Sequence, residues 1–187
     1  MKRLQDTLKE KIAILRLKKG DSEAFGFLYD EYVDKIDRYV LFRVSHKELA
    51  HDITQEVFLT TWEYLMNEGR IDHLQSFLYR VAYRRVVDVY RDRERQTSLM
   101  ADIEDAHDVP TRDSGKDTAL EMHFLMQDIR TLKDEYQDIL ILRHVEGLSI
   151  SEIASILEKD ANNVRVTLHR AITALKDIVD KKNDSRA

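Results

Sequence analysis

The 187-residue sequence contains no cysteine, one proline (Pro110) and five glycines. Without thiols there can be no disulfide framework and no thiolate metal site, which fits a reducing compartment. With so few helix breakers, long stretches are free to stay helical. Two further patterns are missing. No run alternates Val, Ile or Thr long enough to build a sheet, and no segment reaches the roughly 20 apolar residues that span a bilayer. The early apolar run Ile12-Ala13-Ile14-Leu15 is broken by Arg16, Lys18 and Lys19, so no export signal and a cytosolic location are expected. An all-α protein without membrane insertion follows as the expectation.

An excess of positive charge is also lacking, since the formal net charge is -5. That deficit argues against nucleic acid until the distribution is read. Between Arg80 and Arg95 six arginines face three acids, and between Asn162 and Lys182 five cations face two acids. From Asp102 to Asp117 six acids face two cations. Two basic islands therefore flank an acidic bridge. Such a chain should bind DNA weakly alone, and better once a partner positions both islands.

The bridge holds the only proline together with Thr111, Asp113, Ser114 and Gly115, a composition too polar to build a core. It predicts an N-terminal domain over 1–95, a flexible acidic linker over 96–116 and a C-terminal domain over 117–187.

Ser149 and Glu152 have the spacing of a capping box, followed by Ile150, Ile153, Ala154 and Leu157 at helical intervals. After Glu158-Lys159, Asp160 is placed to cap a second helix with the inward stripe Val164, Leu168, Ala171, Leu175 and Ile178. A support helix is expected around Leu132, Tyr136, Ile139 and Leu140, ended by Gly147. The pair reads as a helix-turn-helix. Its second helix exposes Asn162, Asn163, Arg165, Thr167, His169 and Arg170, which combine amides suited to base edges with cations suited to phosphates.

In the N-terminal domain, Phe25, Leu28, Tyr29, Tyr32, Ile36, Tyr39, Val40 and Phe42 form one helical stripe. A helix from Lys47 to Met66 turns Ala50, Ile53, Val57, Thr61, Tyr64 and Leu65 inward. Its opposite strip carries Asp52, Gln55, Glu56 and Leu59 at i, i+3, i+4 and i+7. A third helix from Leu74 to Arg95 mixes Phe77, Leu78, Val81, Ala82, Val86, Val87 and Val89 with arginines and tyrosines.

Taken together, these residues resemble the sigma factors of bacterial RNA polymerase, of the extracytoplasmic-function (ECF) type within the sigma-70 family. The likeness spans roughly Asp21 to Lys182. It rests first on Asp52-Ile53-Thr54-Gln55-Glu56-Val57-Phe58-Leu59 with Trp62, then Phe77 to Ala82 and Asp88-Val89-Tyr90-Arg91. It rests second on Tyr136 to Leu140, Glu146 to Ala154, Val164-Arg165 and Leu168 to Ala171. The resemblance implies two helical domains, region 2 and region 4. It assigns Asp52, Gln55, Glu56, Leu59 and Trp62 to the clamp coiled coil of the polymerase's largest subunit. Arg80, Tyr83, Arg84, Arg85, Asp88, Tyr90 and Arg91, with the loop of about 67–76, go to the -10 element, where a base is turned out of the stack. Asn162, Asn163, Arg165, Thr167, His169 and Arg170 go to the -35 element. Core RNA polymerase, including its flap region, promoter DNA and an anti-sigma protein are the implied partners, and the free chain is expected to be a monomer. The sequence departs from the family pattern at Arg84, where Asn is frequent, at Lys133, where Pro is, at Glu158 and Asn162, where Gly is, and at Thr167, where Arg is.

Two other readings of the same residues exist. A helix-turn-helix regulator would dimerise on palindromes without touching polymerase. A phosphohydrolase would begin from His51-Asp52 with His46 and His73, but no further His and Asp complete a metal shell. No enzyme activity, metal or cofactor is expected.

Overall fold

The computed structural model describes residues 2–67, 69–97 and 124–184. Every regular element among them is helical, as the lack of strand patterning required. The stretch 98–116, most of the expected linker, lies outside the described residues. The chain divides into two compact units: the first runs to Val40 and resumes at Glu48 through the fourth helix, and the second joins Leu41–Lys47 to the helices beyond 123.

The first unit is built from α1 (Lys2–Lys18), most of α2 (Glu23–Val44), α3 (Lys47–Met66) and α4 (Leu74–Thr97). Helix α1 stops at Gly20, whose φ of +93° only glycine adopts without strain. There the Asp21 amide donates to the Arg16 carbonyl at 3.1 Å. The core takes Leu17 from α1, Leu28, Ile36 and Tyr39 from α2, Val57 and Leu65 from α3, and Leu78, Tyr79 and Ala82 from α4, all nearly solvent-free. Each of the larger aliphatic side chains among them contributes about 1.5–3 kcal/mol of burial. Edge-on aromatic contacts add specificity: Phe25 meets Trp62 at 5.0 Å and Tyr39 meets Tyr79 at 5.6 Å between ring centres. The helical periods thus gave the right faces, with one correction. Tyr64, expected inward, is exposed because it covers the α3–α4 connection instead.

In the second unit, α5 is described over 124–130, and α6 (Asp134–Leu140) runs on through one wider, π-type turn at Ile141–Val145. Gly147, at a φ of +67°, closes that turn. Helices α7 (Ile150–Leu157) and α8 (Ala161–Asp184) follow. Ile139, Ile141, Leu142, Leu148, Ile153, Ile156, Val164 and Ala171 form the core. The second unit also buries charge, chiefly at Arg43 and Asp138. Arg43, in the last turn of α2, donates through Nε to Asp138 Oδ1 at 2.7 Å and through a terminal nitrogen to Gln137 Oε1. The Gln137 amide in turn donates to the carbonyls of Leu132 (2.8 Å) and Arg130 (3.1 Å). Fully paired, the group avoids the penalty of a lone buried ion.

Candidate nucleic-acid interfaces and a docking strip

The helix-turn-helix is set by two caps. Ser149 Oγ accepts from the Glu152 amide at 3.3 Å, while Glu152 Oε2 accepts from the Ser149 amide at 2.7 Å, completing the expected capping box. Asp160 Oδ1 accepts from the amides of Asn162 (2.7 Å) and Asn163 (3.4 Å), capping α8. Between them Glu158 occupies the left-handed region at a φ of +55°, a geometry that usually falls to glycine. The turn that the missing glycine left in question is therefore left-handed, held by amide donation from Lys159 to the Ala154 carbonyl at 3.0 Å.

With Val164 and Ala171 fully buried, α8 turns Asn162, Asn163, Arg165, His169 and Arg170 to solvent. Thr167 is not among them. It is only 6% exposed, and its hydroxyl donates to Asn163 Oδ1 at 3.0 Å. Thr167 lies beyond direct reach of a ligand on this face and instead fixes the Asn163 amide. Val166, absent from the sequence-derived set, is 43% exposed in the middle of the face. Its isolated apolar character gave no signal in a sequence scan for donors and cations.

In the first unit, α4 buries Leu78, Tyr79, Ala82 and Val86 and exposes Arg84, Asp88 and Arg91 at i, i+4 and i+7. Arg80, Tyr83 and Tyr90 border that strip half-buried. Tyr79, the neighbour of Arg80 on the same helix, is wholly buried against Tyr39 and presents no face to solvent. Arg85 points elsewhere, with its Nε 3.5 Å from Glu56 Oε2 on α3. The structure thus pairs two residues assigned to different partners.

The α3–α4 connection is pinned by contacts the sequence did not announce. The Gly69 amide donates to the Tyr64 carbonyl at 2.9 Å, Lys18 Nζ donates to the Gly69 carbonyl at 2.9 Å, and the Tyr64 ring lies 4.9 Å from Phe77. A Cβ on Gly69 would sit 2.3 Å from the Tyr64 carbonyl oxygen. Ser76, at the end of the stretch expected as loop, is instead buried inside α4.

On α3, Asp52, Gln55 and Glu56 are exposed beside Leu59, which is 58% exposed. Trp62 is half-buried, its ring edge-on to Phe25. An acid and amide strip ending in an uncovered leucine can bind a basic, partly apolar partner by charge-assisted hydrogen bonds around an anchor. His51 lies 3.8 Å from Asp37, and no group of three or more His, Asp or Glu among the described residues could hold a metal. No described helix is long and apolar enough to cross a membrane.

Comparison with known proteins matches two family models: Sigma-70 region 2 over residues 28–96, and Sigma-70, region 4 over residues 125–175. The ECF RNA polymerase sigma factor BldN of Streptomyces coelicolor is 31% identical over 170 residues, which cover 86% of this chain and 62% of BldN. The chain thus spans about three fifths of that relative. The RNA polymerase sigma factor YlaC of Bacillus subtilis is 31% identical over 162 residues, covering 84% of this chain and 92% of YlaC. Among solved structures, the sigma factor RpoE of Bartonella quintana, in complex with the anti-sigma factor NepR, superposes with a TM-score of 0.71 at 17% identity. That match covers 83% of this chain and 96% of RpoE.

Proposed function

This chain belongs to the sigma-70 family as an ECF sigma factor, and from that premise we propose a division of labour among its exposed strips. Sigma factors act in transcription initiation, and the family is not one of enzymes. In the reading proposed here, Asp52, Gln55, Glu56 and Leu59, bordered by Trp62, dock on a basic coiled coil of core polymerase. The α4 strip of Arg80, Arg84 and Arg91, with Tyr83, Tyr90 and Asp88 at its edges, holds the opened -10 element. Arginines suit phosphates there and half-exposed tyrosines suit unstacked bases. Capturing such bases shifts a duplex equilibrium that costs a few kcal/mol per step, so binding energy alone drives opening. Arg85 belongs to the same cationic set, and its surface pair with Glu56 at 3.5 Å links the two strips.

Helix α8 then lies in the major groove of the -35 element, with Asn162, Asn163 and Arg165 near base edges and His169 and Arg170 near phosphates. The region 2 module ends at about residue 95 and an acidic strap over 96–116 leads to the region 4 module. An anti-sigma protein, of the kind seen with RpoE, would act by masking these strips. The carrying observation is that one helical unit exposes an acidic, leucine-tipped strip on α3 next to a cationic strip on α4. A palindrome-binding regulator has no use for that pair.

Run-off transcription with purified core polymerase on a genomic library tests the assignment. Asp52→Ala/Gln55→Ala should abolish initiation at all promoters, while Arg165→Ala should redirect promoter choice. Intact initiation by the first variant would refute the docking strip. Unaltered promoter choice by the second would refute the groove helix.

A further inference from the structure

Successive residues of an α-helix are about 100° apart, which places Val166 about 160° around α8 from Val164 and about 140° from Ala171. Both of those residues are fully buried. Val166 therefore occupies the crest of the exposed face, the point farthest from the core of its unit. Its neighbours one turn away are Asn162, Asn163, His169 and Arg170, all exposed. A lone exposed apolar residue is ordinary on most surfaces. This one sits at the centre of a face whose other members are hydrogen-bonding or cationic, where water would otherwise favour another polar group.

Two properties fix what such a residue can recognise. Valine is β-branched and holds one dominant rotamer in a helix, so its methyl pair projects in a set direction. The backbone beneath it is held as well, by the Asp160 cap and by the Thr167 to Asn163 bond. A rigid apolar knob at the crest of a groove helix cannot accept or donate hydrogen bonds. In the major groove the one apolar group that varies between base pairs is the 5-methyl of thymine.

We propose that Val166 is a specificity-determining residue that packs on a thymine 5-methyl in the -35 element. The proposal rests on the reading that α8 enters the major groove there. It differs from the polar contacts of Asn162, Asn163 and Arg165, because it selects thymine over cytosine and over uracil by shape and apolar contact alone.

The test starts from a promoter library randomised across the -35 element, selected by run-off transcription with the full-length chain and core polymerase. The winning promoter is then synthesised with each -35 thymine replaced in turn by deoxyuridine, which removes only the methyl. The selected element should fix thymine at one position, and deoxyuridine there should lower run-off at limiting holoenzyme about fourfold, the value of one buried methyl-sized group. Val166→Ala should transcribe the thymine and uracil templates equally, at the lowered level. Alanine is the better helix former, so the variant keeps its helix. Absence of a fixed thymine, equal use of thymine and uracil at every position by the wild type, or a thymine preference retained in Val166→Ala would each overturn the proposal. Failure of the underlying reading looks different: selection would then yield no -35 preference, or Arg165→Ala would leave the selected sequence unchanged, and both ideas would fall.

Discussion

Replacing Gly69 by alanine puts one methyl group where there is no room for it. The added Cβ would lie 2.3 Å from the Tyr64 carbonyl oxygen and 2.4 Å from both Cδ1 and Cε1 of its ring, more than an ångström inside ordinary carbon contact distance. Relief requires two losses, because the carbonyl oxygen and the ring both clash. The Gly69 amide must leave the Tyr64 carbonyl, to which it donates at 2.9 Å, at a net cost of about 0.5–1.5 kcal/mol. The Tyr64 ring must also leave Phe77, with which it packs at 4.9 Å, at a similar cost of about 0.5–1.5 kcal/mol. Since the clash involves both groups, the expected destabilisation is about 1–3 kcal/mol, or roughly 2–4 °C in Tm per kcal/mol for a chain of this length. Trp62 is the single tryptophan and lies in the first unit, so thermal unfolding followed by its fluorescence reports on the right module. Two of the three clashing atoms belong to the ring. In a Tyr64→Ala background, Gly69→Ala should therefore cost at least about 0.5 kcal/mol less than in the wild type, a coupling of the kind contacting pairs show. An unchanged melting temperature for Gly69→Ala, or the same loss in both backgrounds, would refute the reasoning.

Three other substitutions follow from the second unit. Arg43→Ala leaves the buried Asp138 carboxylate without its guanidinium and should cost about 3–5 kcal/mol in urea unfolding; a loss below about 1 kcal/mol would mean the pair is solvated. Glu158→Gly relieves a left-handed non-glycine residue and should raise stability by up to about 1 kcal/mol, whereas a destabilised variant would show that the glutamate side chain matters more than its backbone. Thr167→Val keeps the shape but removes the hydroxyl that holds Asn163; discrimination among -35 sequences should fall by about 0.5–1.5 kcal/mol with polymerase affinity unaltered, and unchanged discrimination would show that Asn163 needs no positioning.

Much of the molecule could be read before any coordinates. The spacing Ser149 to Glu152 carried a capping box because the motif needs only local geometry. Periodicity placed Ile53, Val57, Leu78, Ala82, Val164 and Ala171 inward, since a helix presents the same face every three to four residues. The charge islands pointed to nucleic acid for the same local reason.

What periodicity could not supply were contacts between elements distant in sequence. Tyr64 obeys the inward spacing of α3 yet is exposed, because the α3–α4 connection with Gly69 and the Phe77 ring offer it a better surface than the core does. Tyr79, Tyr83 and Tyr90 look alike in a string of letters, and only packing against Tyr39 removes Tyr79 from the candidate face. Arg85 and Glu56 lie on different helices, and only the packing of α3 with α4 brings them within 3.5 Å. Helical class, caps and the chemistry of the exposed helix faces follow from interactions within a few residues, which the sequence encodes directly. The orientation of Thr167 and the pairing of Arg43 with Asp138, 95 residues away, depend on which surfaces meet once those helices pack, and only the tertiary structure decides that.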